Sequence, residues 1–236
     1  MKMCKAFTIF VVAILALAAS PAMAVMLELT NVGSQGTIND AIFQQFSPQP
    51  TGTGLIDPFV RIQAKKDGVE EGYNTDGERE FETKGGNFTH SLLLSAVPLV
   101  TINSVNYREF FLDIGENESE EGRYLSVDEL KIHLEAVGDL SGYPDNFSDS
   151  IYSLDDGGDN WIKLNANISG GGNGRADMLA YIPNVLFTGP NQYVYLYSKL
   201  GVNFSADNGP EEWACVPEPV TFALLGLGGL FLRRRK

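Results

Sequence analysis

Residues 130–136 read Leu-Lys-Ile-His-Leu-Glu-Ala, and they are the clearest indication of the fold class. Apolar and polar side chains alternate strictly, which predicts a strand with one buried and one solvated face. The preceding Ser126-Val127-Asp128-Glu129 resembles a helix capping box, but the alternation that follows favours a strand. On this period-2 argument, His133 is expected to face solvent.

Short apolar runs with strand character recur along the chain, at residues 55–63, 92–94, 99–102, 107–114, 161–166, 178–182 and 193–197. Turn-forming pairs separate many of them, among them Asp67-Gly68, Asp76-Gly77, Gly85-Gly86 and Asn208-Gly209. No stretch between the two ends has a sustained helical period. The sequence therefore predicts one all-β domain over residues 25–213, a β-sandwich or jelly-roll-like fold.

The N-terminal 24 residues have the form of a secretory signal peptide. Lys2 and Lys5 precede an apolar stretch at residues 6–19, and Ala22-Met23-Ala24 is a small-x-small cleavage signature. We therefore expect signal cleavage after Ala24, export by the secretion machinery and a mature chain that begins at Val25. Cys215 is then the only cysteine of the mature chain, so the domain cannot form an internal disulfide.

The C-terminal segment, residues 214–236, has three parts in a fixed order. Val216-Pro217-Glu218-Pro219 is followed by an uncharged stretch at residues 220–232, and the chain ends in Arg233, Arg234, Arg235 and Lys236. Two prolines so close together favour an extended, accessible backbone. As a helix, residues 220–232 would span roughly 20 Å against about 30 Å of bilayer hydrocarbon, which suits a transient anchor.

This tail resembles the sorting segment of PEP-CTERM proteins. The resemblance implies a Gram-negative bacterium, an exosortase-type partner that processes the chain near residues 216–219, and transient inner-membrane anchoring through a C-terminal helix. It further implies delivery to the outer surface or to an extracellular matrix of the biofilm type. The body of the chain also resembles one group of these exported proteins, at residues 52–63, 70–77, 193–201 and 211–213. That resemblance implies kinship alone and supplies no catalytic residues.

The net negative charge of the chain limits the kinds of partner that it can bind. The formal net charge of the chain is −13. Because the signal carries +2 and the terminal cluster +4, residues 25–232 carry −19. Such a surface repels the phosphates of nucleic acids, so no nucleic-acid partner is expected. It is compatible with divalent cations outside the cell.

Two sets of residues are candidates for binding. Asp155, Asp156, Asp159 and Asn160 could supply oxygen ligands to calcium from one tight turn, although Asp, Asn and Gly also suit a solvated hairpin turn. The second set is Tyr193, Tyr195 and Tyr197, which share one sheet face if the strand is regular. That face could stack on sugar rings, or it could pack into a core.

Catalytic motifs are few. The chain contains two histidines, His90 and His133, and lacks the nucleophile-elbow, zincin and paired-cysteine patterns. We therefore predict no catalytic residues and no cofactor, with calcium as the one candidate ion. We predict a binding or structural protein of the cell surface or extracellular matrix, associated with extracellular polysaccharide. Two alternatives stay open, a secreted carbohydrate-active enzyme that uses paired carboxylates and a calcium-dependent adhesin-like module.

Overall fold

A computed structural model describes residues 24–46, 57–66, 68–117, 119–120, 122–168, 176–207 and 209–215. Fourteen strands lie within these ranges: β1 (Met26–Leu29), β2 (Gln35–Ile38), β3 (Ala41–Gln45), β4 (Pro58–Ile62), β5 (Glu70–Tyr73), β6 (Leu92–Leu93), β7 (Leu99–Ile102), β8 (Val105–Asp113), β9 (Tyr124–Glu135), β10 (Tyr152–Ser153), β11 (Trp161–Asn165), β12 (Met178–Pro183), β13 (Tyr193–Leu200) and β14 (Glu211–Ala214). Single-turn 3₁₀ helices occupy Gly86–Phe88, Leu94–Ala96, Ala166–Ile168 and Asn184–Leu186.

The strands form two seven-stranded sheets that pack as a sandwich. Sheet A has the order β1-β11-β9-β13-β5, with β10 beside β9 and β6 beside β13. Sheet B has the order β2-β3-β12-β8-β14-β4, with β7 beside β8. The pairs are antiparallel except β1 and β11, which run parallel. The predicted all-β sandwich is therefore confirmed.

The main core lies between the sheets and follows the period of two. Leu130, Ile132 and Leu134 of β9 are buried in it, and Leu196 of β13 lies opposite Ile132 in the same sheet. β12 and β8 of sheet B contribute Met178, Ala180, Phe110 and Leu112, among others. The long central strands thus use alternate residues to fill the inter-sheet space, as the sequence pattern predicts.

The outer face of sheet A carries a second, aromatic core. Tyr73, Tyr195 and Tyr197 are buried there, and Tyr143, Phe147 and Leu140 of the segment 139–148 pack over them. We call these six residues and Tyr193 the aromatic cluster. Sheet A is therefore buried on both faces where the segment 139–148 covers it.

The expectation that His133 faces solvent is wrong for this reason. His133 does lie on the face opposite Ile132, but it is only 5 % exposed. Its ring packs edge-on against Tyr143 and Phe147, and its Nδ1 lies 2.7 Å from the carbonyl oxygen of Ser148. Burial lowers the pKa of His133, which favours the neutral imidazole donating from Nδ1 to that carbonyl.

Candidate functional site

The structure brings the three predicted tyrosines together but does not expose them as a stripe. Tyr193, Tyr195 and Tyr197 share the outer face of sheet A, as expected from the period of two. Tyr195 is 1 % exposed and Tyr197 is 4 % exposed, and only Tyr193 is half-buried. The alternative in which this face packs into a core describes Tyr195 and Tyr197 correctly, and neither ring is accessible to a sugar, whereas Tyr193 stays partly accessible.

Phe81 is the most exposed ring of this region. It is 45 % exposed and lies 6.2–6.3 Å, centroid to centroid, from Tyr73, Tyr143 and Tyr197. Its φ is +59°, in the left-handed region that side chains with a Cβ seldom adopt. The aromatic cluster therefore supports a phenyl ring with one side on protein and the other on water.

Glu80, next to Phe81, holds the covering segment in place. Its carboxylate accepts hydrogen bonds from the Tyr73 hydroxyl and from the backbone N–H groups of Gly142 and Tyr143, the latter two at 2.9 and 3.0 Å. These donors, the Tyr73 hydroxyl foremost, lower the pKa of Glu80. The loop that carries Phe81 and the segment 139–148 are thereby fixed to each other through one ionised side chain.

A surface depression of about 440 Å³ opens beside Phe81. Its walls are formed by Gln63, Lys65, Phe81, Glu82, Thr83 and Lys84. One aromatic ring is thus combined with an amide, two ammonium groups and a carboxylate, because the Thr83 hydroxyl is itself buried. This set can stack on the apolar face of a ring and hydrogen-bond hydroxyl or carboxylate groups at its edge.

The acidic turn at residues 155–160 does not assemble a ligand shell. The Asn160 side chain already has two structural partners, because its amide nitrogen donates to the Leu154 carbonyl (2.7 Å) and its oxygen accepts from the N–H of Val25 (2.8 Å). Asp155 accepts from the N–H of Asn160 at 3.0 Å, and burial raises the pKa of Asp155 to about 6. Within the described ranges, no three His, Cys, Asp or Glu side chains come together as a metal site. The calcium hypothesis for this turn therefore gains no support from the geometry.

The sorting and signal residues lie almost wholly outside the described residues. This holds for Ala22, for the motif Val216 to Pro219 and for Arg233, Arg234 and Arg235, whereas Ala24 is the first described residue. In the part of the chain that is described, no helix is long and apolar enough to cross a membrane. Signal cleavage, processing of the tail and membrane anchoring therefore stay predictions.

Cys215 directly follows β14 and packs against the main core. Burial raises the pKa of its thiol to about 12. Because the thiolate is the reactive form, this shift disfavours reaction of Cys215 at neutral pH.

Sequence reasoning missed Phe81. Its signal is weak but readable, since it is a single apolar residue within Glu78-Arg79-Glu80-Phe81-Glu82, where every neighbour is charged. An isolated phenyl group in such a run has no partner in its own segment and must either pack elsewhere or stay exposed.

Comparison with known proteins found no relative of this chain. No family model matches the chain, and neither a curated protein nor a solved structure matches it.

Proposed function

We propose that this chain is an exported, non-enzymatic β-sandwich protein that binds extracellular polysaccharide at the Phe81 depression. The observation that carries the proposal is the exposed ring of Phe81, held on the aromatic cluster beside a polar depression. The sequence supports export, because it has a secretory signal and a tail that resembles that of an exosortase substrate.

The binding energy expected from this ring is modest. Full burial of a phenylalanine side chain contributes about 1.5–3 kcal/mol, and Phe81 is already about half covered. Covering the exposed half with the C–H face of a sugar would therefore contribute about 1 kcal/mol. A single site of this kind is weak, and it suits a polymer that offers many identical units to a surface densely covered with protein.

The composition of the depression favours binding over hydrolysis. Glycoside hydrolysis requires two carboxyl groups across the bond that is cleaved. Among the residues that line the depression, Glu82 supplies the only carboxylate, and it accepts a hydrogen bond from the N–H of Glu71 at 3.1 Å. This supports the binding role over the carbohydrate-active enzyme.

Electrophoretic mobility tests the proposed binding site. The mobility of the purified protein in gels that contain neutral or anionic polysaccharides should fall for at least one polymer. Phe81→Ala should weaken that retardation about fivefold, as expected for a loss of about 1 kcal/mol, whereas Phe81→Tyr should retain it. Phe88→Ala is the matched control, because Phe88 is also exposed (39 %) but lies under the Arg61 guanidinium, outside the depression.

Equal retardation of wild type and Phe81→Ala would contradict the site. Release of reducing sugar from any of the polymers would contradict the non-enzymatic role. The intact mass of protein recovered from the cell surface tests the sorting prediction separately, and a chain that still ends at Lys236 would refute processing.

A further inference from the structure

Two glutamates, one from each sheet, meet in the interior of the sandwich. Glu211 shares a face of β14 with Trp213, whose indole N–H donates to Ser198 of sheet A at 3.0 Å, so this face points between the sheets. Glu70 lies on the face of β5 opposite Tyr73, a member of the aromatic cluster, and opposite Glu71, whose carboxylate accepts a hydrogen bond from the Tyr197 hydroxyl. Glu70 and Glu211 are both 0 % exposed.

Loops close the end of the sandwich over this pair. Gly68 and Ala206 exchange two backbone hydrogen bonds of 2.9 and 3.0 Å, which join the loop before β5 to the loop before β14. Glu116, itself 2 % exposed, accepts from the N–H of Asp207. The closure therefore brings two more carboxylates, Glu116 and Asp207, close enough to raise the pKa of Glu211, but not close enough to form a cluster of three or more ligands with the pair.

The pair lacks the hydrogen-bond donors that a buried carboxylate needs. Glu70 Oε2 accepts from the N–H of Ala64 at 2.6 Å, but Glu70 Oε1 and both oxygens of Glu211 have no N–H or O–H partner among the described residues. The carboxyl groups of Glu70 and Glu211 face each other, and burial raises the pKa of both. Two facing, buried carboxylates can coexist only if a cation or a shared proton lies between them.

We propose that Glu70 and Glu211 bind one divalent cation between the sheets, with calcium as the matching ion. Calcium prefers oxygen ligands and takes six to eight of them, and two bidentate carboxylates supply up to four, with main-chain carbonyls and water completing the shell. Glu116 and Asp207 increase the negative potential at the pair, which favours a doubly charged ion over a single proton. The site is independent of polysaccharide binding at Phe81, because it lies in the interior.

Thermal unfolding of the purified full chain tests the proposal. After treatment with a chelator at pH 7.5, calcium at about a hundredfold excess over its dissociation constant should raise Tm by roughly 5–10 °C. Terbium should replace calcium and luminesce on excitation of Trp213, which lies two residues from Glu211 on the same face.

Glu211→Gln identifies the ligands. Its amide can donate to Glu70, so the variant should fold and match or exceed the chelated wild type in Tm, while the calcium shift and the terbium signal are lost. Asp159→Asn, in the acidic turn, is the control and should keep both.

Two results would overturn the proposal. One is a calcium shift that persists in Glu211→Gln, which places the ion elsewhere. The other is a wild-type Tm that does not change with calcium; if that Tm also falls as pH rises from 5 to 8, the pair holds a shared proton instead.

Discussion

Tyr195→Phe tests whether the tyrosine face is a buried scaffold. The Tyr195 hydroxyl donates to the carbonyl of Val137 and accepts from the N–H of Leu140, both at 3.0 Å. One oxygen atom thus ties β13 to the start of the covering segment 139–148. The substitution removes this oxygen and leaves the ring and its packing against Phe147 in place.

The expected loss of stability is about 2 kcal/mol. Each hydrogen bond contributes about 0.5–1.5 kcal/mol, and a backbone group left without a partner costs about 1–3 kcal/mol when it stays buried. Val137 is 45 % exposed and Leu140 is half-buried, so water can reach part of the freed backbone and the cost stays in the lower range. For a domain of this size, about 2 kcal/mol corresponds to a fall in Tm of roughly 4–8 °C.

Urea and thermal unfolding of the full chain, followed by tyrosine and tryptophan fluorescence, measure the effect. Tyr193→Phe is the matched control, since Tyr193 lies at the half-exposed end of the same strand, and its cost should be below about 0.5 kcal/mol. Polysaccharide retardation should be the same for both variants and wild type. If Tyr195→Phe is as stable as Tyr193→Phe, or if it abolishes retardation at unchanged stability, the tyrosine face is not a scaffold.

Two further predictions concern the turn at residues 155–160. Asn160→Ala should destabilise the protein by about 1–3 kcal/mol, because it leaves the buried Leu154 carbonyl without its donor, whereas the nitrogen of Val25, which is 47 % exposed, can bond to water; chemical denaturation measures this, and a loss below about 0.5 kcal/mol would contradict it. Asp155 has a pKa raised to about 6 in the folded state, so its contribution to stability is present below about pH 4 and is lost as pH rises through 6. Asp155→Asn should therefore be more stable than wild type at pH 7 and equal to it near pH 4, and an unchanged difference in Tm between these pH values would refute the assignment.

The strands and their inward faces could be predicted from local sequence, whereas the covering of their outer faces could not. The alternation at residues 130–136 correctly places Ile132 inside and His133 outside the sandwich core. The burial of His133 depends on residues 139–148, whose Tyr143 and Phe147 reach back over sheet A. A period of two identifies the two faces of a strand but carries no information on what a later loop places on them.

The order of the strands in each sheet and the Glu70–Glu211 pair could not be predicted from local sequence either, because both depend on contacts between residues far apart in the chain. β1 pairs in parallel with β11, which follows more than 130 residues later, and β5 and β14 approach each other only through the packing of the two sheets. Both glutamates occur in short acidic runs, Glu70-Glu71 and Glu211-Glu212. In each run one residue faces in and the other out, so composition alone suggests two solvated patches.

Phe81 is where local preference and the observed structure disagree most. A residue with a Cβ costs about 1–2 kcal/mol in the left-handed region relative to glycine, which is free there. A ring that served only to fill the core would recover this cost by burial, yet Phe81 remains 45 % exposed. Its contacts with Tyr73, Tyr143 and Tyr197 instead fix the orientation of the exposed side. Conflicts of this kind concentrate at functional sites, and a ligand that covers the exposed side of Phe81 would supply the burial that the free protein lacks.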